Sequence, residues 1–162
     1  MLLALFRGIN LFYIVSHSES VNNIKCKKWI NTQGRTMLLG NLPFGIFAEI
    51  EPKIMEITIH EGVQISEQHI EQIEQGLLER YEGEYCLLIN RKNAYSHGHE
   101  SLSKVADLKN AAAIAIVAYS DASVIAARMH LLYSSNIQIF TDKMSALNWL
   151  RNSQNCSDLA IK

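Results

Sequence analysis

The residues that could carry chemistry are concentrated in one polar stretch in the middle of the chain, RKNAYSHGHE at residues 91–100. His97 and His99, with the neighbouring Glu100, resemble a fragment of a metal site, since imidazole and carboxylate groups are common zinc ligands. Two ligands at i, i+2 spacing need at least one more from elsewhere in the chain. We therefore expect a solvent-exposed loop here and no bound metal.

Two serines, one within this stretch and one directly after it, could instead form hydrogen bonds with the backbone at the start of a helix. Ser96 and Ser101 lie where a short helix is expected to begin, with Leu102 and Val105 on its apolar side. A serine at that place can cap the free N–H groups of the first turn. A phosphate on the same serine would be stabilised by those groups and by the helix dipole. Capping is the simpler interpretation, and phosphorylation is the alternative.

Motifs for other chemistries are missing from the sequence. Neither G-x-x-x-x-G-K-[ST] nor G-x-G-x-x-G follows a strand, so no phosphate-cradling loop is expected. There is no G-x-S-x-G elbow, and no cysteine has a histidine in an obvious partner position. Cys26, Cys86 and Cys156 are far apart and form no C-x-x-C pair, which favours reduced thiols. We therefore expect a protein that is not an enzyme and needs no cofactor.

Composition limits the choice of partner. The 162 residues carry a net charge of −1, with 19% charged and 48% hydrophobic residues, which suits one globular domain. Such a balance gives no electrostatic reason to expect binding to nucleic acid. The apolar start of the chain is interrupted by Arg7 and falls short of the ~18 to 20 apolar residues that span a membrane. We therefore expect no stable membrane span and a cytoplasmic location.

The amino-terminal part differs from the rest of the chain. Residues 16–35 are polar and lack a clear period, so we expect residues 1–36 to be a poorly ordered segment or an over-extended reading frame with Met37 as the true start. A surface-lying apolar anchor and a signal peptide are the second and third interpretations. Residues 37–152 form the predicted domain, and residues 153–162 form a tail without an apolar period.

Strands and helices alternate from residue 44 onward. These elements determine where the polar stretch at residues 91–100 lies in the fold. The predicted strands are 44–50, 54–60, 84–90, 111–119 and 137–140. The first two should form a hairpin across Glu51-Pro52-Lys53, with 44–50 at an edge of the sheet. The unbroken apolar run 111–119 should be an inner parallel strand.

The predicted helices follow these strands. The first begins at the cap Ser66 and ends at Gly83, and the second is short and ends at Asn110. The third, at residues 122–133, should pack an apolar stripe on the sheet; the stripe consists of Val124, Ile125, Met129, Leu131 and Leu132. The last helix should place Met144 and Trp149 in the core.

The order β-β-α-β-α-β-α-β-α is that of an α/β domain with a mixed sheet. The stretch AIAIVAYSDASVIAARMHLLY, followed by IQIFTDKMSALNWL, resembles the end of a STAS domain. Residues 44–150 as a whole are similar to the STAS-like fold of sporulation anti-sigma-factor antagonists and of small stand-alone bacterial STAS-like proteins. The resemblance implies a single-domain STAS-like mixed β-sheet with helices packed on it.

The resemblance also implies a function. In the antagonists, a serine at the start of the second helix is phosphorylated by a partner kinase. Ser96 is the matching position and Ser101 the second choice, although the Asp-Ser-Ser-Gly context of the family is absent here. This implies a non-enzymatic regulatory, protein-interaction module with an anti-sigma- or kinase-like partner of unknown identity, or a homodimer. The implied partner surface consists of Tyr95, His97, His99 and Ser103.

Two other functions stay open from the sequence. One is binding of a small apolar ligand or lipid, by resemblance to the related CRAL-TRIO architecture, which needs an unfilled apolar pocket. The other is an enzyme on a flavodoxin-like scaffold, which lacks a catalytic constellation in this sequence. A large enclosed apolar cavity would favour ligand binding, and a flat serine-bearing surface would favour a protein partner.

Overall fold

Apolar runs bounded by turn residues form the strands of this chain, and amphipathic stretches form its helices. The computed structural model describes residues 13–14, 20–21, 24–30 and 36–153, with side chains from residue 42 onward. The strands are β1 Tyr13–Ile14, β2 Ser20–Val21, β3 Ile24–Ile30, β4 Thr36–Leu42, β5 Gly45–Glu51, β6 Ile54–Ile59, β7 Gln64–Ile65, β8 Tyr85–Arg91, β9 Ser96–His97, β10 Ala111–Ala118 and β11 Ile137–Phe140. The helices are α1 Glu67–Arg80, α2 His99–Ala106, α3 Asp121–Arg128, a 3-10 helix Met129–Leu132 and α4 Lys143–Asn152.

One mixed sheet organises the described residues. Its strand order is β1-β3-β4-β5-β6-β8-β10-β11, with β2 paired to β3. Strands β6, β8, β10 and β11 are parallel to one another, and the pairings from β1 to β6 are antiparallel. The short strands β7 and β9 form a separate parallel pair. The short pair β7–β9 was not predicted. Apart from it, the predicted α/β order of strands and helices is confirmed from β5 to α4.

The inner position predicted for the apolar run at 111–119 is also confirmed. Strand β10 lies between β8 and β11, and Ile114, Ile116 and Val117 are fully buried. A strand covered by helices on both faces needs apolar side chains at every position, which is why the run does not alternate.

The predicted hairpin forms, but it does not lie at an edge. Strands β5 and β6 pair across Glu51-Pro52-Lys53, as expected. Strand β4 pairs with the other side of β5, from Leu39↔Ala48 to Leu42↔Gly45, so the edge prediction was wrong. Gly40 and Asn41 disfavour a strand on propensity alone, and the pairing with β5 outweighs that preference.

Helices cover both faces of the parallel strands. Ile70, Ile73 and Leu77 of α1 pack on one face, in a core shared with Val105 of α2 and Ala127 of α3. Ala146, Leu147 and Leu150 of α4 pack on the other face, against β8 and β10. Successive residues of β8 point to opposite faces, so its odd-numbered side chains face α1–α3 and its even-numbered side chains face α4.

Local capping follows the sequence at most helix starts. Ser66 precedes α1, where its side chain and the His69 ring form a reciprocal capping box. Ser120 Oγ accepts from the N–H of Ser123, and the Asp142 side chain accepts from the N–H of Ser145. Helix α1 ends at Arg80, with Tyr81 as its C-cap. This end lies before Gly83, where the helix was predicted to end.

Two predicted core assignments are wrong. Most of the apolar stripe predicted for the third helix is exposed, and only Ala127 of α3 and His130 of the 3-10 helix are buried. Met144 at the start of α4 is 60% exposed, while Trp149 is partly buried against Phe140. The period of a helix indicates which side chains share a face, but not whether that face meets the sheet.

Cys86 corrects the expectation of three reduced thiols. It is fully buried on the α4 face of β8 and is disulfide-bonded. The side chain of its partner lies outside the described residues. Separation along the sequence does not indicate which cysteines a fold brings together, so the sequence argument could not find this bond.

The domain boundaries stay a prediction. Strands β3 and β4 pair antiparallel from Lys25↔Asn41 to Ile30↔Thr36, on both sides of the predicted boundary at residue 36. Most of the predicted segment 1–36 and nearly all of the predicted tail 153–162 lie outside the described residues.

Candidate functional site at the carboxyl ends of the parallel strands

The carboxyl ends of parallel strands meet at one edge of a sheet, and here two neighbouring strands bring two polar segments together. Strand β8 ends at Arg91 and continues into the stretch 92–98. Its neighbour β10 ends at Ala118, two residues before Ser120, the cap of α3. This edge is where open α/β sheets usually bind ligands.

The short pair β7–β9 fixes the backbone of the polar stretch. Ser96 lies opposite Gln64, and its N–H donates to the carbonyl oxygen of Val63 at 3.1 Å. The N–H of Gly98 donates to the carbonyl oxygen of Ile65 at 2.9 Å. Ser96 and His97 therefore form a strand that leads into α2, and the predicted solvent-exposed loop was wrong for these two residues. Residues 92–95 before them belong to no strand or helix.

Neither predicted serine is the cap of α2. The cap position is Gly98, which has no side chain, and Ser96 lies in β9 two residues before it. Ser101 is in the first turn, where its hydroxyl donates to the carbonyl oxygen of Gly98 at 2.7 Å. The position of the helix start depends on the β7–β9 pairing, which local propensity does not reveal.

The structure separates the predicted site residues by burial. Ser96 and His99 are exposed, and Ser103 and His97 are partly buried. Tyr95 and Ser101 are buried, with Ser101 at 0% exposure. Ser96 and His99 are therefore the residues of this set that a partner could reach most directly.

His97 and His99 do not come together as metal ligands. His97 ends β9 and His99 begins α2, with the cap Gly98 between them, so the two side chains do not continue one face of a strand. The His97 ring lies against Tyr95 and His130, whereas the His99 ring lies near Tyr133, whose hydroxyl is 3.5 Å from His99 Nε2. No group of three His, Cys, Asp or Glu side chains within the described part of the chain is placed to hold a metal ion.

A buried polar cluster lies beneath this segment, and we call its members the Arg91 cluster: Arg91, Tyr95, His97, Ser101 and His130. Arg91 is only 6% exposed, and its Nη2 donates to the carbonyl oxygen of Tyr95 at 3.1 Å. Its guanidinium carbon lies 4.1 Å from the centre of the Tyr95 ring, which is cation–π distance. The His97 and His130 rings meet edge to face, with their centres 4.8 Å apart.

The hydrogen bonds of Ser101 determine which nitrogen of His97 carries the proton. The single hydroxyl hydrogen of Ser101 is used on Gly98, so its oxygen must accept from His97 Nδ1, 3.1 Å away. His97 Nε2 is then an acceptor, and it has no hydrogen-bond partner. Both ring nitrogens of His130 and the hydroxyl of Tyr95 also lack partners.

Burial keeps both histidines neutral at pH 7. Burial lowers the pKa of His97 to about 3, helped by the neighbouring His130 and Arg91. Burial and the charge of Arg91 lower the pKa of His130 to about 4. Burial raises the pKa of Tyr95, so this hydroxyl also stays protonated. The cationic charge of the cluster at pH 7 therefore belongs to Arg91.

Sequence reasoning missed Arg91 and His130. A signal for Arg91 was present, because the side-chain alternation of β8 places residue 91 on the same face as Leu87 and Ile89. Nothing comparable existed for His130, which looks like a polar residue on a surface helix. Its burial depends on the packing of the 3-10 helix against α2.

A pocket of about 390 Å³ opens between the two segments at this edge. The lining residues on the β8 side are Arg91, Lys92, Asn93, Ala94 and Tyr95, and those on the β10–α3 side are Tyr119, Ser120, Ala122, Ser123 and Ala126. Arg91 and Tyr95 are the buried members of this lining. Polar and apolar groups both line this open pocket, so it is not the large enclosed apolar cavity that would favour an apolar ligand.

A second surface feature lies on α3 and the 3-10 helix. Ile125, Met129 and Leu132 are spaced as neighbours along one helical face, and they are 65%, 46% and 74% exposed. Leu131 beside them is 45% exposed. We call these four residues the α3 apolar stripe. Single exposed apolar residues are common on proteins, but a contiguous group of large ones usually marks an interaction surface.

Comparison with known proteins identifies a structural similarity. No protein-family model and no curated protein matches the chain. A solved structure of an uncharacterized DUF3478-family protein from Shewanella loihica PV-4, described as having a SpoIIAA-like fold, is similar at 16% sequence identity and a TM-score of 0.43. The similarity covers 70% of this chain and 91% of the other.

No helix among the described residues is both long and apolar enough to cross a membrane.

Proposed function

We propose that this chain is a non-enzymatic regulatory module that binds a protein partner through the α3 apolar stripe and the exposed residues that lead into α2. The observation that carries the proposal is the exposure of four large apolar side chains on one helical segment. Removing large apolar side chains from water is favourable. Their exposure in the monomer is therefore typical of a surface that a partner covers.

The stripe and the segment around Ser96 belong to neighbouring parts of the surface. Helix α2 contacts the 3-10 helix that carries Leu131 and Leu132. The Tyr133 hydroxyl, directly after that helix, is 3.5 Å from His99 Nε2 at the start of α2. A partner on the stripe would therefore lie beside the segment that carries Ser96.

The non-enzymatic part of the proposal is supported by the state of Ser101 and His97. A nucleophilic serine must be reached by substrate and must give its proton to a base. Ser101 is fully buried, and its proton is donated to the carbonyl oxygen of Gly98 rather than to His97. The serine–histidine contact at this site is thus arranged for structure.

The apolar stripe gives the first test. Replacing both Ile125 and Leu132 by Gln should abolish recovery of a partner that wild type retains in a quantitative pull-down followed by cross-linking. The matched control is Met144→Gln, because Met144 is equally apolar and 60% exposed but lies on α4. If the double variant and wild type recover the same partner equally, the stripe is not the interface.

Ser96 gives the second test, of the regulatory part. Because Ser96 is exposed and does not cap α2, Ser96→Ala should leave both stability and partner binding nearly unchanged. Ser96→Asp should weaken binding about 2- to 10-fold if a phosphate there adds charge at the contact. Equal binding by wild type and both variants would reject a phospho-switch at Ser96 and leave constitutive binding.

A further inference from the structure

We propose that the pocket between the end of β8 and the start of α3 binds the phosphate group of a small phosphate monoester, with Arg91 as its buried cation. The site is separate from the α3 apolar stripe, so it does not depend on the protein-binding function proposed above. The argument rests on the pairing of Arg91, on the other groups of the lining, and on the size of the pocket.

Arg91 is unusual among the cations of the described residues because it is the most buried and has no carboxylate partner. Four better exposed cations pair with glutamates: Arg80 with Glu49, Lys104 with Glu67 and Glu71, Lys143 with Glu56, and Arg151 with Glu51. Arg91 instead makes one hydrogen bond, to a neutral carbonyl oxygen, and its Nε and Nη1 have no partner. Proteins rarely bury an arginine in this state.

A buried guanidinium without an anion is destabilising, because the charge loses its hydration and gains little in return. The neighbouring side chains do not supply the missing charge: His97 and His130 are neutral, and the Tyr95 hydroxyl stays protonated. An anion bound in the pocket beside Arg91 would supply the missing negative charge.

The opposite wall of the pocket adds donors that also favour an anion. Ser120 Oγ accepts from the N–H of Ser123, so its own O–H is not used in that bond. The first N–H groups of α3 are free of helical partners, and the helix dipole favours negative charge there. Lys92, an exposed cation, belongs to the same lining. Asp121 is the opposing charge, since it lies between the lining residues Ser120 and Ala122.

Charge and size together indicate the ligand class. A guanidinium, an ammonium group, hydroxyl groups and a helix start offer more donors than one carboxylate can use, whereas a phosphate has three terminal oxygens. A pocket of about 390 Å³ is in the usual range for small-molecule sites. The phosphate could also be that of a phosphorylated side chain on another protein, and the experiment below separates these two sources.

The first measurement uses the full chain and inorganic phosphate as the probe. Phosphate should raise the melting temperature saturably, and chloride at the same ionic strength should not. Lys92→Gln should weaken phosphate binding about 2- to 5-fold, as expected for loss of an exposed ion pair. Lys109→Gln is the matched control, because Lys109 is equally exposed but lies outside the pocket; it should bind phosphate like wild type.

Arg91→Met should weaken phosphate binding at least 10-fold, provided that circular dichroism shows a folded protein. If this variant does not fold, Asp121→Asn takes its place and should strengthen phosphate binding about 2- to 5-fold by removing the opposing charge. No stabilisation of wild type by phosphate beyond that by chloride would overturn the proposal. Equal weakening by Lys92→Gln and Lys109→Gln would overturn it too, because phosphate would then bind without using the pocket.

Phenyl phosphate and a phosphoserine peptide then identify the source. Tighter binding of phenyl phosphate than of the peptide, weakened in Lys92→Gln to the same extent as phosphate binding, supports the small monoester. Tighter binding of the peptide would overturn the small-molecule assignment and make the pocket a reader of a phosphorylated protein.

Discussion

At the scale of single residues, the Arg91 cluster shows how burial changes what a side chain can do. His97 and His130 would ordinarily titrate near physiological pH. In the folded chain, burial and the nearby Arg91 hold the pKa values of both rings far lower, at about 3 and about 4. Both histidines therefore stay neutral at pH 7, with His97 bonded to Ser101 through Nδ1, and they make folding sensitive to acid.

This sensitivity gives a prediction for His130. Between pH 6.5 and pH 4 the unfolded chain binds protons on this histidine and the folded chain does not, so stability is present above pH 6.5 and falls as the pH drops. The fall due to His130 between pH 7 and pH 5 should be about 1 to 2 kcal/mol. Urea denaturation at both pH values should show a smaller fall for His130→Leu than for wild type.

The control for this prediction is His99→Leu, at an exposed histidine, which should keep the wild-type dependence on pH. An unchanged difference between pH 7 and pH 5 in His130→Leu would mean that another group causes the acid sensitivity.

At the scale of elements, β10 and α3 show that an apolar residue has very different effects depending on what covers it. Both contain isoleucines that are alike in the sequence. Ile116 of β10 is fully buried between the helices of the two faces, whereas Ile125 of α3 is 65% exposed. The strand carries the core, and the helix presents part of its apolar face to solvent.

The same substitution at both positions tests this difference. Ile116→Ala should cost about 2 to 5 kcal/mol of unfolding free energy, because it removes buried methyl groups and leaves a cavity. Ile125→Ala should change stability by less than about 0.5 kcal/mol, as is usual for exposed positions. Chemical denaturation of both variants is the measurement, and similar losses at the two positions would contradict the burial described for α3 or for β10.

At the scale of the whole molecule, the antiparallel half of the sheet is tied to the helical layer by a buried carboxylate. Glu49 on β5 is 7% exposed and forms an ion pair with Arg80 at the end of α1. It also accepts from the Tyr81 hydroxyl at 3.1 Å and from the N–H of Lys53 at 3.3 Å. One side chain thus links the hairpin β5–β6 to the helix that precedes β8.

Removing this link should destabilise the whole fold. Glu49→Ala should cost about 1 to 3 kcal/mol, because it leaves the buried donors of Tyr81 and Lys53 without their acceptor. Glu71→Ala is the control, since Glu71 also pairs with a cation, Lys104, but on the exposed surface; its melting temperature should change much less. A melting temperature for Glu49→Ala as high as that of the control would show that the two halves are held together mainly by the sheet.

The sequence by itself determined the features that depend on neighbouring residues. The apolar run of β10, the span of β11 and the cap Ser66 follow from local pattern and local hydrogen bonding, and each occurs as predicted. From these, the order of strands and helices and the α/β class could be obtained, because a strand followed by a capped helix leaves few ways to build a sheet.

Only the tertiary structure decided the features that depend on distant residues. The pairing of β4 with β5 removed the predicted edge, and the pairing of β7 with β9 moved the start of α2 from the serines to Gly98. Arg91 and His130 are 39 positions apart in the numbering, and the packing of the 3-10 helix on α2 and β11 brings His130 within the influence of the Arg91 charge. Burial is a property of the neighbours that a fold supplies, so the exposed face of α3 and the burial of His130 could not be obtained from the period of the sequence.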